Sequence, residues 1–343
     1  MIIYYAMKPA TILLNHLTIG YRRKQRLYPI ASRLHATLYG GELTCLLGAN
    51  GAGKSTLLRT LSAFLPPLEG SVEIMGKPIS AFTDKELARH VSVVLTERIE
   101  VQGLRVHEVV ALGRTPYTGL LGQLTTADQT QVDEAIRLTG ITPLANRPID
   151  TLSDGERQKA MIAKALAQDT PVIYLDEPTA FLDYPSKVEM MQLLHRLSRT
   201  TGKTIFLSTH DLDLALQMAD TIWLLHRSGS LTTGLPEDLI QDGTLPKFFE
   251  SEGISFDSQT GHFRVKQPTN RRIQVVGEGL PLLLLTRALN RNGIATEPIA
   301  ADNLTSAENT RIQILTSAEG ETLYHVAPQQ TIYPTLKALL QSL

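Results

Sequence analysis

The sequence predicts an α/β protein, a mixed sheet entered through a phosphate-binding loop, with a second and smaller α/β unit behind it. Three observations carry this reading. Residues Gly48–Thr56 read Gly-Ala-Asn-Gly-Ala-Gly-Lys-Ser-Thr and fit G-x-x-x-x-G-K-[ST], between the apolar run Leu43–Leu47 and the helix-like Leu57–Phe64. Further apolar runs at Val91–Leu95, Val172–Leu175 and Lys203–Ser208 have the length and composition of buried strands. Past a polar stretch at 263–272, which holds Pro268-Thr269-Asn270 and reads as a linker, strand and helix patterns begin again.

Bulk properties narrow the class. A chain of 343 residues suits a main body plus an appendage. A net charge of −1 argues against a nucleic-acid partner that needs a strongly positive surface. Cys45 is the only cysteine and lies in the strand before the phosphate loop, so no intrachain disulfide can form and a reducing, cytosolic setting is expected. No run approaches the roughly 18 apolar residues of a membrane span. Met1–Met7 is too short, and lacks the preceding basic region, for a secretory signal. Any membrane association is therefore expected to come through a partner.

Thr11–Ile19 alternates as a strand and leads to Tyr21 and the basic cluster Arg22, Arg23, Lys24 and Arg26. The Tyr21 ring can stack on adenine, or it can be a surface tyrosine in a basic loop. In the phosphate loop, Gly48, Gly51 and Gly53 permit a tight turn, so that backbone N–H groups, those of Ala49, Asn50 and Ala52 included, converge with the next helix N-terminus on phosphate oxygens. Lys54 is expected to reach the β- and γ-phosphates, Ser55 to offer its hydroxyl to Mg²⁺, and Thr56 to bond the α-phosphate.

Pro66, Pro67 and Gly70 mark a turn, Ser71–Met75 and Gly76-Lys77-Pro78 read as a hairpin, and Thr83–Ala88 as a capped helix. Thr96–Asn146 carries helical patches at Val106–Leu112 and Ala127–Thr139, with Gly113, Pro116, Gly119 and Gly122 as punctuation, and looks like a helical insertion on the main sheet. Leu152-Ser153-Asp154-Gly155-Glu156-Arg157-Gln158 opens a helix over Glu156–Ala167. Ser153, with the N–H groups of Gly155 and Glu156, is either a second anion site or a simple N-cap.

The strand starting at Pro171 ends in Asp176-Glu177-Pro178-Thr179. Side chains alternate along a strand, so the two carboxylates serve different targets: Asp176 binds Mg²⁺ through water, and Glu177 polarises the water that attacks the γ-phosphate. The alternative is an acidic turn. His210, directly after the strand Lys203–Ser208, is placed to sense or hold the γ-phosphate.

These motifs, with the segment Phe181-Leu182-Asp183, follow in the order found in ATP-binding cassette ATPases, which the chain resembles over roughly residues 10–250. The resemblance implies a cassette over 10–262 with a helical subdomain at about 97–168. It implies ATP with Mg²⁺ as substrate, a nucleotide contact at Asp183, and a head-to-tail dimer in which Ser153 and Gly155 of one chain close over the phosphate loop of the other. Val106–Tyr117 further resembles the ATPase subunits of iron-siderophore, haem and cobalamin importers. That implies two membrane-spanning permeases, a substrate-binding protein upstream, and a place on the cytoplasmic face of the inner membrane. Alternatives are a soluble cassette ATPase acting on the ribosome or nucleic acid, and an ATP clamp of low turnover.

Two departures stand out. Thr96-Glu97-Arg98 replaces the family's glutamine after Val91–Leu95, so Thr96 or Glu97 takes over its contacts to metal and water, or those contacts are lost. Asp154 and Glu156 replace a glycine and a glutamine, and are expected to point away from the triphosphate or pair with Arg157 or Lys159.

Beyond the linker, Ile273–Val276 reads as a strand, followed by Gly277-Glu278-Gly279 and a helix with Pro281 near its start and Gly293 at its end. Arg311–Thr316 and Thr322–Val326 read as strands and Ile332–Leu343 as a closing helix. The glycine pair is a plain turn, since the third glycine of a dinucleotide fingerprint is missing.

Overall fold

The computed structural model describes residues 8–96, 103–119, 122–250, 254–257, 262–265, 268–299 and 310–343. The chain divides into two compact units, Met1–Phe248 and Phe249–Leu343.

The first unit starts with β1 (Ala10–Arg23) and β2 (Arg26–Tyr39), an antiparallel hairpin. The strand expected at Thr11–Ile19 thus runs on through Tyr21, Arg22 and Arg23, which are not in a loop. Cross-strand partners explain the extension: Tyr21 faces Tyr28 and Arg22 faces Leu27 in register, pairs that favour extended backbone. Next come β3 (Leu43–Leu47), α1 (Lys54–Leu61), β4 (Glu69–Ile74) and β5 (Lys77–Pro78). The first sheet has the order β2-β1-β4-β5, all antiparallel.

After α2 (Asp84–Leu87), capped by Thr83, and β6 (Val91–Val94), the chain forms α3 (Val106–Ala111), α4 (Thr126–Leu138) and α5 (Asp154–Ala167). These three helices pack on one another. Arg114, between α3 and α4, is buried, donating to Asp128 Oδ1 at 2.9 Å and to the Ala167 carbonyl at 2.8 Å, with its guanidinium 3.9 Å from the centre of the Tyr117 ring. Arg89, beyond α2, lies 5.0 Å from the same ring and donates to the Pro116 carbonyl at 3.0 Å. Arg114 and Tyr117 of the Val106–Tyr117 segment therefore fasten the helices to one another and to the sheet-bearing part.

The remaining elements are β7 (Val172–Asp176), α6 (Tyr184–Thr201), β8 (Thr204–Ser208), α7 (Leu212–Met218), β9 (Thr221–Leu225), β10 (Leu231–Gly234), α8 (Pro236–Gln241) and α9 (Thr244–Glu250). The second sheet has the order β10-β9-β3-β8-β7-β6, parallel except for β10 at its edge. Its strands read as near-continuous apolar runs because both faces are covered. Between the two sheets lies one core in which Ile12, Leu14, Leu17 and Ile19 meet Leu46, Leu57, Tyr174, Phe206 and Trp223. Cys45 is fully buried and its thiol pKa is pushed up by that burial, so it is a core residue. Parallel strands end on one side, so the carboxyl ends of β3, β7 and β8 bring Gly48, Asp176 and Ser208 to one edge.

In the second unit β11 (Ile254–Asp257) and β12 (His262–Val265) form a hairpin. Then follow β13 (Arg271–Val276), α10 (Gly279–Arg291), β14 (Ile294–Pro298), β15 (Arg311–Thr316), β16 (Thr322–Ala327), β17 (Thr331–Tyr333) and α11 (Leu336–Ser342). The five-stranded sheet has the order β14-β13-β15-β16-β17. Ile273, Val275, Ile312 and Val326 of the sheet meet Leu285 and Leu289 of α10 and Leu339 of α11. Strands occupy both ends of the stretch expected to be a linker, 263–272. The closing helix starts at Leu336 because Ile332 instead pairs with His325 as a sheet edge.

Candidate functional site

The phosphate loop is shaped by contacts that leave no room for side chains. A Cβ on Gly48 would stand 2.8 Å from the Leu225 carbonyl, and one on Gly53, where φ is 107°, would stand 2.5 Å from Ile30 Cγ2. Gly53 is the N-cap of α1 and supplies no side-chain cap, so the first-turn N–H groups present the positive end of the helix. Lys54 is buried and lies back across the loop, donating from Nζ to the Gly48 carbonyl at 2.7 Å. The Tyr21 hydroxyl is 3.3 Å from Thr56 Oγ1, which sets the ring beside the first turn of α1.

At the end of β7 a serine organises both carboxylate residues. Ser208 Oγ donates to Asp176 Oδ1 at 2.6 Å and accepts from the Glu177 N–H at 3.0 Å. Ser208 is fully buried, and β8 pairs it in register with Asp176. In the sequence Ser208 stands only as the end of a strand, with no role; the alternation of β8 beside the acidic strand end is the signal that points to it. Glu177 has a left-handed backbone, φ 48°, and its Oε1 lies 2.7 Å from His210 Nε2. Both side chains reach solvent.

Ser55, Thr96 and Asp176 line one cavity of about 250 Å³, together with Tyr174 and Arg59. Two hydroxyls and a carboxylate are a hard oxygen donor set, which fits Mg²⁺ with retained waters. Thr96 Oγ1 donates to the Asp176 carbonyl at 2.6 Å. Its hydrogen is spent on the backbone, and only its lone pairs face the cavity chemistry. Glu97, the other candidate for the missing glutamine, lies outside the described residues.

Ser153 is the N-cap of α5 in a reciprocal capping box. Its Oγ accepts from the Glu156 N–H at 3.3 Å, and Glu156 Oε2 accepts from both the Ser153 N–H and Oγ–H at 2.9 Å. Ser153 thus caps the helix within this chain, and the Glu156 N–H is engaged in that cap. The bonds from Ser153 hold the Glu156 carboxyl below the usual carboxylate range. Glu156 therefore pairs with Ser153 rather than with Arg157 or Lys159; Asp154 is 3.8 Å from Arg157, and Lys159 pairs with Glu189. Gly155 follows in the first turn of α5. Asp183 caps α6, its Oδ1 accepting from the Ser186 N–H at 2.9 Å, and that bonding lowers its carboxyl pKa.

A glycine loop feeding a helix N-terminus, a strand-end carboxylate with a hard-oxygen cavity, and a carboxylate–imidazole pair define a P-loop nucleotide hydrolase. Residues 31–180 match the family model described as ABC transporter. The achromobactin transport ATP-binding protein of Dickeya dadantii is 38% identical over 235 residues, covering 68% of this chain and 86% of that protein. The ferric enterobactin transport ATP-binding protein of Escherichia coli is 37% identical over 226 residues, covering 66% of this chain and 82% of that one. A solved dimeric ATP-binding cassette bound to ADP and Pi superposes with a TM-score of 0.56 at 26% identity, over 66% of this chain and 98% of the other. The chain belongs to the ABC transporter family as an ATP-hydrolysing cassette. Among the described residues no helix is long and apolar enough to cross a membrane.

Proposed function

We propose that the chain powers an importer for an iron chelate or cobalamin, as a cassette dimer beneath two membrane permeases on the cytoplasmic face, with a substrate-binding protein delivering the cargo. The cargo class is supported by the relatives, whose names refer to achromobactin, ferric enterobactin and cobalamin. The observation that carries the catalytic reading is the Glu177–His210 pair beside the Ser55–Thr96–Asp176 cavity. A permease partner is supported by a groove of about 440 Å³ with Phe64, Leu87 and Val93 on its wall, which shares Ser62, Phe64 and Val93 with the metal cavity. Phe64 is 64% exposed there.

In this mechanism the phosphate-loop N–H groups and Lys54 hold the β- and γ-phosphates, and Tyr21 carries the adenine. Ser55, and Asp176 through water, would hold Mg²⁺, which would neutralise phosphate charge. Glu177 accepts a hydrogen bond from the attacking water, and His210 fixes the carboxylate's direction and faces the γ-phosphate. Ser208 keeps Asp176 and Glu177 in register with each other. Ser153 and Gly155 of the second copy close the site, and Asp183 holds the start of α6 next to that seam. Phosphoryl transfer needs positioning and charge compensation more than covalent chemistry, and each residue supplies one of these.

A low-turnover clamp is the second reading, favoured by the commitment of the Thr96 hydroxyl to the Asp176 carbonyl. ATP hydrolysis measured with and without reconstituted permeases separates the two. Stimulation by permease supports transport, and a rate that stays near background in both supports the clamp.

A further inference from the structure

On the β1–β2 hairpin two exposed histidines meet: His35 Nε2 lies 3.0 Å from His16 Nδ1, with the rings edge-on at an 80° interplanar angle. A β-bulge makes this encounter. The register runs from Leu14 opposite Ala36 to Leu17 opposite Leu34, so Asn15 and His16 together face the single residue His35. His16 takes a left-handed backbone, φ 48°, which a residue with a Cβ adopts only where its surroundings enforce it. β4 supplies that enforcement. Gly70 presses so closely that an added Cβ would stand 2.2 Å from the His16 carbonyl. The fold thus spends a strained residue and a glycine on holding one imidazole against another at the protein surface.

We infer that His16 and His35 form a two-imidazole chelate for a borderline divalent transition-metal cation, of the Ni²⁺ or Cu²⁺ type, on the β1–β2 hairpin. Metal–imidazole bonds of about 2.0–2.1 Å place cis nitrogens about 3.0 Å apart when they subtend roughly 90°, the angle of square-planar and octahedral ions, whereas a tetrahedral ion spreads them further. The observed 3.0 Å separation matches the cis angle. The proton between the two nitrogens moves to the far nitrogen of its own ring, so both imidazoles stay neutral and each offers a lone pair; because both side chains are exposed they can tilt to converge on the cation. Among the described residues no group of three or more His, Cys, Asp or Glu side chains is placed to hold a metal. Water therefore completes the coordination, and the site is open and exchangeable.

The test uses the full-length, nucleotide-free protein and the metal alone. Calorimetric titration with Ni²⁺ is expected to show one equivalent bound, and His16→Asn or His35→Gln to weaken that event at least tenfold. Asparagine tolerates the left-handed backbone, so the first variant keeps the bulge while removing the imidazole. With one equivalent of Cu²⁺, the electron paramagnetic resonance spectrum is expected to carry coupling from two imidazole nitrogens, reduced in either variant. Equal Ni²⁺ affinity in the parent and both variants, or no binding by the parent, overturns the assignment. Melting curves in metal-free buffer confirm that the variants remain folded.

Discussion

His210 Nε2 stands 2.7 Å from Glu177 Oε1 at the mouths of two neighbouring parallel strands, so the proposed base and the proposed γ-phosphate contact form one hydrogen-bonded unit. Groups that act as a unit lose activity together, and the losses do not add.

Glu177→Gln keeps the shape and the neighbour but loses the charge that draws a proton from water. Phosphate release in a single turnover is expected to fall by about 10²–10⁴, with ATP affinity changed little. Stopped-flow phosphate detection beside equilibrium nucleotide binding checks both halves, and an unchanged rate would falsify the assignment of Glu177 as the base.

For the pair as a unit, His210→Ala alone is expected to lower turnover strongly, and the double variant Glu177→Gln/His210→Ala to be little slower than Glu177→Gln. A double-mutant cycle on hydrolysis rates measures the coupling, and full additivity contradicts the unit.

Ser208→Ala removes the bridge between the Asp176 carboxylate and the Glu177 N–H. Leaving these half-buried partners unsatisfied costs about 1 kcal/mol. A lowered melting midpoint and a raised Mg²⁺ requirement for hydrolysis are expected together; a stability loss with unaltered Mg²⁺ dependence would remove Ser208 from the site.

Thr96→Val deletes the donor to the Asp176 carbonyl while keeping the shape, and Thr96→Ser keeps the donor. Valine is expected to destabilise by about 1 kcal/mol, and serine to behave as the parent. Chemical denaturation of the three proteins makes the comparison.

Asp128 is held down to about 2, first by its bonds from Thr125 and then by Arg114, against an ordinary value of 3.8. Its folded pKa lies below its unfolded one, so its contribution is present above about pH 4 and is lost as the pH falls toward 2. Asp128→Asn should flatten the acid limb of the stability curve between those values, as read from denaturant midpoints across the range.

Contiguous motifs were legible in the sequence because their chemistry is written in adjacent residues: the phosphate loop, Asp176-Glu177 and His210 all sit where strand ends place them. Relations that need two distant segments were not. The Tyr21–Thr56 bond, the role of Ser208 and the Thr96 tie to Asp176 each depend on sheet register. β2 was not read as a strand; its pairing with β1, a relation between two segments, is what makes it one. In the second unit the short β14 and β17 carry too few apolar residues to announce themselves, and only the sheet they edge defines them.

The left-handed backbone at Glu177 sets a trade-off at one torsion angle. A residue with a Cβ there carries a penalty of about 1–2 kcal/mol that glycine escapes. Relaxing that angle gains durability, so a search for hardier versions of this enzyme will be drawn toward the very position that holds the proposed base.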